Sequence, residues 1–179
     1  MKTDLSKYNI DWYKPGGKLV RLLWFFVNAI FLQSKLNPFS GFNVLLLRIF
    51  GAKIGKGAVV RPGVNIKYPW KLVIGNNVWI GESVWIDNLD DVVIGNNVCV
   101  SQGAMLLCGN HNYKKSSFDL MLGKIIIEDG VWIGAKSIVS QNVICETHSV
   151  LVVNSVASSN LDSYTVYRGN PAKKVRDRL

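Results

Sequence analysis

The sequence predicts an all-β solenoid, a parallel β-helix of six-residue repeats over 54–163, with a helical, capping segment over 1–53 before it and a short basic tail over 164–179 behind it. Three observations predict this. An aliphatic residue returns every six positions from Ile54 onward, three such hexads plus two extra residues recur as a 20-residue unit, and residues 1–53 carry apolar runs without that count.

The lead positions are Ile54, Val60 and Ile66, then Ile74, Ile80 and Ile86, then Ile94, Val100 and Leu106. After an interruption they resume as Ile127, Ile133, Val139, Cys145, Leu151 and Ala157. All fifteen are apolar in a chain that is 49% apolar, a run that chance gives on the order of once in 10⁴ to 10⁵ trials. Six residues make a short strand and a corner, and three such units close one triangular coil with the lead side chains inside. An antiparallel sandwich also has many short strands, but its spacing wanders over about 8 to 12 residues and does not resume in sixes after each insertion. Gly55, Gly75, Gly81, Gly95 and Gly134 each follow a lead residue, where a tight corner is expected to demand positive φ.

The extra residues fall at one corner, within 68–73 and 88–93, and the interruption, a loop over about 107–126, takes the corresponding place one coil on. Solenoid insertions gather on one face, often the binding face. That edge is therefore the expected site.

In the first segment, Leu19–Leu32 and Val44–Phe50 are apolar runs, the longer of which is interrupted by Arg21 and Asn28. It falls short of the roughly 20 apolar residues a bilayer span needs, and the long polar lead with Asp4 and Asp11 does not suit a signal peptide. Two readings follow: a helix that covers the open edge of the first coil, favoured here, or an interfacial helix in peripheral contact with a membrane, with Lys14, Lys18, Arg21, Lys35 and Arg48 beside it.

The totals bound the rest. A chain of 179 residues suits one domain, and a net charge of +9 favours anionic partners such as phosphate-rich small molecules or acidic lipid. The basic residues are scattered and no recognised module is present, so nucleic acid is not among the expected partners. Cys99, Cys108 and Cys145 are odd in number and lack C-x-x-C spacing, which fits a reduced, cytoplasmic protein. No metal site is expected, because carboxylates and histidines do not cluster at ligand spacing.

The segments Ile127–Ser140, IEDGVWIGAKSIVS, and Tyr164–Val175, YTVYRGNPAKKV, resemble the signature and the C-terminal end of hexapeptide-repeat acyltransferases. With SQGAMLLCGNHNYKKSSFDL in the insertion and the Trp-rich first segment, the chain is similar over nearly its whole length to the colanic-acid-type acetyltransferases, relatives of galactoside and maltose acetyltransferases. The resemblance implies a left-handed β-helix, an exception to the usual crossover hand. It also implies a homotrimer with active sites between subunits and acetyl-CoA as co-substrate. The implied reaction is O-acetylation of a sugar in exopolysaccharide or surface-glycan synthesis, with N-acetylation of an amino sugar or antibiotic, or a non-catalytic scaffold, as alternatives.

A sugar hydroxyl is a poor nucleophile near neutral pH, so transfer needs a general base and donors for the oxyanion. The chain has two histidines. His111, at the mouth of the insertion, matches the family's catalytic histidine, whereas His148 occupies an ordinary hexad. No G-x-S-x-G or similar nucleophile arrangement occurs, which favours direct attack. Asn110 either adds a contact or shapes the loop. For the acceptor, Asp87 matches a carboxylate of galactoside acetyltransferases, Asn88 stands beside it, and Trp85 and Phe118 are candidate platforms for a sugar ring, Trp85 equally a contact between subunits. For acetyl-CoA, the resemblance implies backbone contacts near Trp132, Ala135 and Val153, with Lys173, Lys174 and Arg176 for the phosphates. Many relatives have Thr-Lys where this chain has Ser158-Ser159, so one lysine contact is missing.

Overall fold

A computed structural model describes residues 2–179. The repeat builds three parallel sheets that wrap one core. The first holds Lys53–Ile54, Leu72–Ile74, Val92–Ile94, Ile125–Ile127 and Ile144–Cys145, in that order. The second holds Val59–Val60, Trp79–Ile80, Cys99–Val100, Trp132–Ile133 and Val150–Leu151, and the third Asn65–Ile66, Trp85–Asp87, Met105–Leu107, Ile138–Ser140 and Val156–Ala157.

Register places all fifteen lead residues in three columns of five. Ile54, Ile74, Ile94, Ile127 and Cys145 align on the first sheet. Val60, Ile80, Val100, Ile133 and Leu151 align on the second, and Ile66, Ile86, Leu106, Val139 and Ala157 on the third. All are buried except half-buried Ile54 in the first coil. Burial of each such aliphatic side chain is worth about 1.5–3 kcal/mol, so the column is the main source of stability. Val64, Val78, Val84, Val98, Val131 and Val143, each four residues after a lead, fill the corners from inside.

The corners correct the expectation about glycine. Positive φ falls three residues after the lead, not one, at Asn77 (54°), Ser83 (57°), Asn97 (54°), Lys136 (55°) and His148 (57°). The glycines directly after a lead serve another end. A Cβ on Gly75 would stand 2.6 Å from the Gly95 carbonyl, and one on Gly81 2.6 Å from the Gln102 amide. These positions exclude side chains because the next coil's backbone passes against them.

The first segment forms two helices, α1 (Lys18–Val27), extended by a π-helical stretch (Asn28–Leu32), and α2 (Ser40–Ile49). Trp24, Leu32, Val44 and Leu47 are buried against the first coil. Polar groups tie down the open edge: the Trp24 indole N–H donates to the Ile66 carbonyl (2.8 Å), the Asn43 amide to the Val60 carbonyl (3.2 Å), and Ser40 Oγ accepts the Val60 N–H (2.8 Å). Backbone groups that would invite another strand are thereby satisfied. The other end departs from the expected tail. Thr165–Gly169 and Ala172–Asp177 form an antiparallel hairpin that extends the second sheet past Val150–Leu151.

Candidate active site

The long insertion is a β-hairpin and not an open loop. Gly109–His111 pairs antiparallel with Leu120–Leu122, and the hairpin leaves the corner between the third and first sheets. Its turn is held by the Asn112 N–H on the Asp119 carbonyl (2.8 Å) and by a Lys115–Asp119 ion pair (3.0 Å). The N-terminal arm crosses it, with the Asp4 N–H donating to the Ser116 carbonyl (2.8 Å).

His111 is held in one orientation. Its ring lies on that of Phe118 with centroids 4.5 Å apart and planes 9° from parallel, and Nδ1 stands 3.0 Å from the Phe118 carbonyl oxygen. A carbonyl oxygen only accepts, so this bond puts the proton on Nδ1 and leaves the Nε2 lone pair free. The Tyr8 ring from the N-terminal arm is 5.8 Å from the imidazole. Phe118, expected as a sugar platform, instead presents its face to the histidine. Asn110 accepts the His111 backbone N–H on Oδ1 (2.8 Å), which shapes the strand just before the base.

One coil below, the expected acceptor residues separate. Asn88 is fully buried, accepting the Tyr68 N–H (3.0 Å) and donating to the Tyr68 carbonyl (2.6 Å). Its amide is committed to stacking one corner on the previous one, so it has nothing to offer an acceptor. Asp87 is different. Lys67 Nζ lies 3.0 Å from its Oδ1, so its carboxylate is ion-paired at the edge of a cavity.

Asp87 and Trp85 border a cavity of about 340 Å³ beneath α1, with Arg21, Trp24, Asn28 and Lys67 also in its wall. Among the described residues, Arg21 Nε and Asn28 Oδ1 in this wall are buried without hydrogen-bond partners. Buried polar atoms are normally satisfied. A free donor and a free acceptor beside aromatic rings and a paired carboxylate suit a ligand whose groups both donate and accept. Sequence reasoning missed Arg21, Asn28 and Lys67. The two breaks in the apolar run of the first segment, Arg21 and Asn28, were the signal.

The residues expected to hold acetyl-CoA collect elsewhere. Trp132 lies on the second sheet, its indole N–H donating to Ser101 Oγ (2.9 Å) and its backbone N–H to the Ser149 carbonyl (3.0 Å). Ala135 and exposed Val153 sit at the corner between the second and third sheets, joined by the Asn154 N–H on the Ala135 carbonyl (2.9 Å). Ser158 is exposed at the following corner. Lys173, Lys174 and Arg176 are exposed on the closing hairpin, Lys174 paired with Asp177 at 2.8 Å. A second cavity of about 350 Å³ opens on the second sheet, lined by Arg61, Trp79, Cys99 and Ser101 among others. His111 thus occupies a different edge of the prism from Trp132, Ala135 and Val153, whereas Ser158 lies at the same third-to-first corner as the hairpin.

Two of the three thiols supply no alternative nucleophile. Cys108 and Cys145 are buried, which pushes each thiol up to about 12 and keeps it protonated near neutral pH.

No family model matches the chain. It is 33% identical over 177 residues to a relative described as a colanic acid biosynthesis acetyltransferase, WcaF of Escherichia coli K12, covering 98% of this chain and 97% of that one. The galactoside O-acetyltransferase of the same organism is 25% identical over 135 residues, 74% of this chain and 66% of its own. Among solved structures, a hexapeptide-repeat-containing acetyltransferase from Vibrio cholerae complexed with acetyl coenzyme A superimposes with a TM-score of 0.84 at 21% identity, covering 98% of this chain and 96% of that one. With the columns of six and near full-length similarity to WcaF, the chain belongs to the hexapeptide-repeat acetyltransferases, left-handed parallel β-helices that work as acetyl-CoA-dependent acyltransferases.

Proposed function

We propose that this enzyme transfers acetyl from acetyl-CoA to a sugar hydroxyl of a surface glycan, by direct attack with His111 as general base. The observation that carries the reading is the tie between His111 Nδ1 and the Phe118 carbonyl, which leaves Nε2 as the base. Nε2 takes the hydroxyl proton as the oxygen attacks the thioester carbonyl. The tetrahedral intermediate then collapses, expelling the thiolate, which the imidazolium reprotonates. The acceptor lies in the cavity of Arg21, Asn28 and Asp87, with Trp85 at its wall. Trp132, Ala135, Val153 and Ser158 border the donor path, with Lys173, Lys174 and Arg176 at the coenzyme phosphates. Because the base lies on a different edge from Trp132, Ala135 and Val153, the reading requires a second copy at each site, and a parallel homotrimer supplies it. The compartment is the cytoplasm, where acetyl-CoA is available and unpaired thiols stay reduced.

The test is coenzyme A release across free, nucleotide-linked and lipid-linked sugars and amino sugars, with the product analysed. An ester product whose formation is lost in His111→Ala supports the reading. An amide product, or full activity in that variant, overturns it.

A further inference from the structure

The helix α1 has two faces of opposite chemistry. Arg21, Trp24 and Asn28, at i, i+3 and i+7, turn toward the coils and line the cavity above Asp87. Leu19, Leu22, Leu23, Phe26 and Ile30 fall on the other side, and all are exposed. The connection and α2 continue this surface with Leu36, 93% exposed, and exposed Phe39, Leu45 and Ile49. Capping accounts for the inner side of these helices and leaves the outer side unexplained. Exposed apolar residues concentrated on both helices, which meet through Phe31 against Phe42, mark an interaction site.

Charge identifies the occupant. Between Asp11 and Glu82 the chain has ten Lys and Arg and no Asp or Glu, whereas the remainder has eleven basic and twelve acidic residues. The surplus of +9 therefore sits in a stretch that joins the apolar face to the first coils, and half of its ten cations precede the coils. Lys14, Lys18, Lys35 and Arg48 are exposed there. Apposing two copies through this face would set like charges against each other. An anionic lipid surface satisfies both features, taking the apolar side chains at the acyl boundary and the cations at the headgroups. No helix among the described residues is long and apolar enough to cross a membrane, so the helices would lie in the interface.

We infer that the outer face of α1 and α2 docks this enzyme on an anionic lipid bilayer. The opposite face of α1 then holds the polar cavity toward the membrane side of the coils, which suits a glycan acceptor carried on a lipid. That last clause rests on the acceptor reading above, whereas docking itself does not.

The test sediments the full-length protein with vesicles of phosphatidylcholine alone and of phosphatidylcholine with about 30% phosphatidylglycerol, at low and high salt. The wild type is expected to pellet with the anionic vesicles at low salt and to be released progressively as salt rises. Phe26→Glu with Ile30→Glu should weaken binding roughly tenfold or more at an unchanged melting temperature. Lys18→Glu with Lys35→Glu, which spares the apolar face, should weaken it less and flatten the salt dependence. Absence of pelleting with anionic vesicles at low salt overturns the inference, and so does undiminished binding by the Phe26 and Ile30 double variant. A fall in oligomeric mass in that variant, measured by sedimentation velocity, would assign the face to contacts between copies and also overturn it. His111→Ala should bind vesicles like the wild type, which separates failure of docking from failure of the catalytic reading.

Discussion

The two histidines occupy similar surroundings and differ in what their second nitrogen meets. His111 lies flat on Phe118 and His148 flat on Tyr164, with ring centroids 4.5 and 4.9 Å apart and interplanar angles of 9° and 3°. In each, Nδ1 has a partner, the Phe118 carbonyl for His111 and Thr147 Oγ1 at 2.8 Å for His148. His148, however, belongs to a coil. It holds the positive-φ position of its corner, and a Cβ on Gly130 would stand 2.5 Å from its Nε2. The coil below is hollowed to receive that ring. His111 stands on a hairpin outside the stack, with no coil above or below to close off Nε2. Stacking and a bonded Nδ1 are thus common to both, and the proposed base is the histidine whose Nε2 has no coil glycine packed against it.

The comparison breaks first at the chemistry. His111→Ala should lower acetyl transfer by about 10²- to 10⁴-fold, the usual worth of a general base, at an unchanged melting temperature. His148→Asn, which keeps a residue tolerant of the left-handed region, should leave the rate within about twofold. Comparable losses in the two variants would erase the distinction. Next in size is Gly130→Ala, which adds a methyl against the His148 ring at φ +68° and should cost about 1–3 kcal/mol in chemical denaturation. In His148→Asn the ring is gone, so part of that cost should vanish in the double variant, a non-additivity expected of neighbours in contact. No such glycine lies beneath His111.

The thiols offer a smaller test of coil against surface. Cys108 and Cys145 are buried and Cys99 is only half-buried, so a thiol reagent near pH 8 should modify about one cysteine per native chain and all of them after unfolding. The least effect is expected at Asp129. The backbone N–H and side chain of Asn96 hold its carboxyl below the ordinary 3.8. Its folded value is the depressed one, so its stabilisation is complete above the ordinary value and is lost as pH falls through the folded one. Asp129→Asn should flatten the acid limb of melting temperature between about pH 5 and 2 by slightly lowering the melting temperature at neutral pH while leaving the acid end unchanged.

The columns were legible because each hexad commits its lead residue to the interior, so a local count reports a global structure. The corners were less so. A glycine after the lead reads as a turn signal, yet its constraint is the passing backbone of Gly95 or Gln102, which no local window contains. Pairing at a distance hid the rest. Gly109–His111 meets Leu120–Leu122, and Thr165–Gly169 meets Ala172–Asp177, in segments without the six-residue mark. Phe118 was noticed for its ring, but only the hairpin turns its ring and its carbonyl to His111. Arg21 and Asn28 read as blemishes in an apolar helix until the cavity beneath them shows what they border.

The hairpin's feet have a consequence for inheritance. The Gly123 N–H donates to the Cys108 carbonyl at 3.0 Å, and the Cys108 N–H to the Asp87 carbonyl of the coil below at 3.3 Å. Both legs are thus anchored to the prism before the chain leaves it, and everything between them hangs from a closed bracket. Residues can be added to or removed from the 113–117 tip without shifting a column by one rung, so reach toward a new acceptor can change in descendants while the load-carrying stack is copied intact.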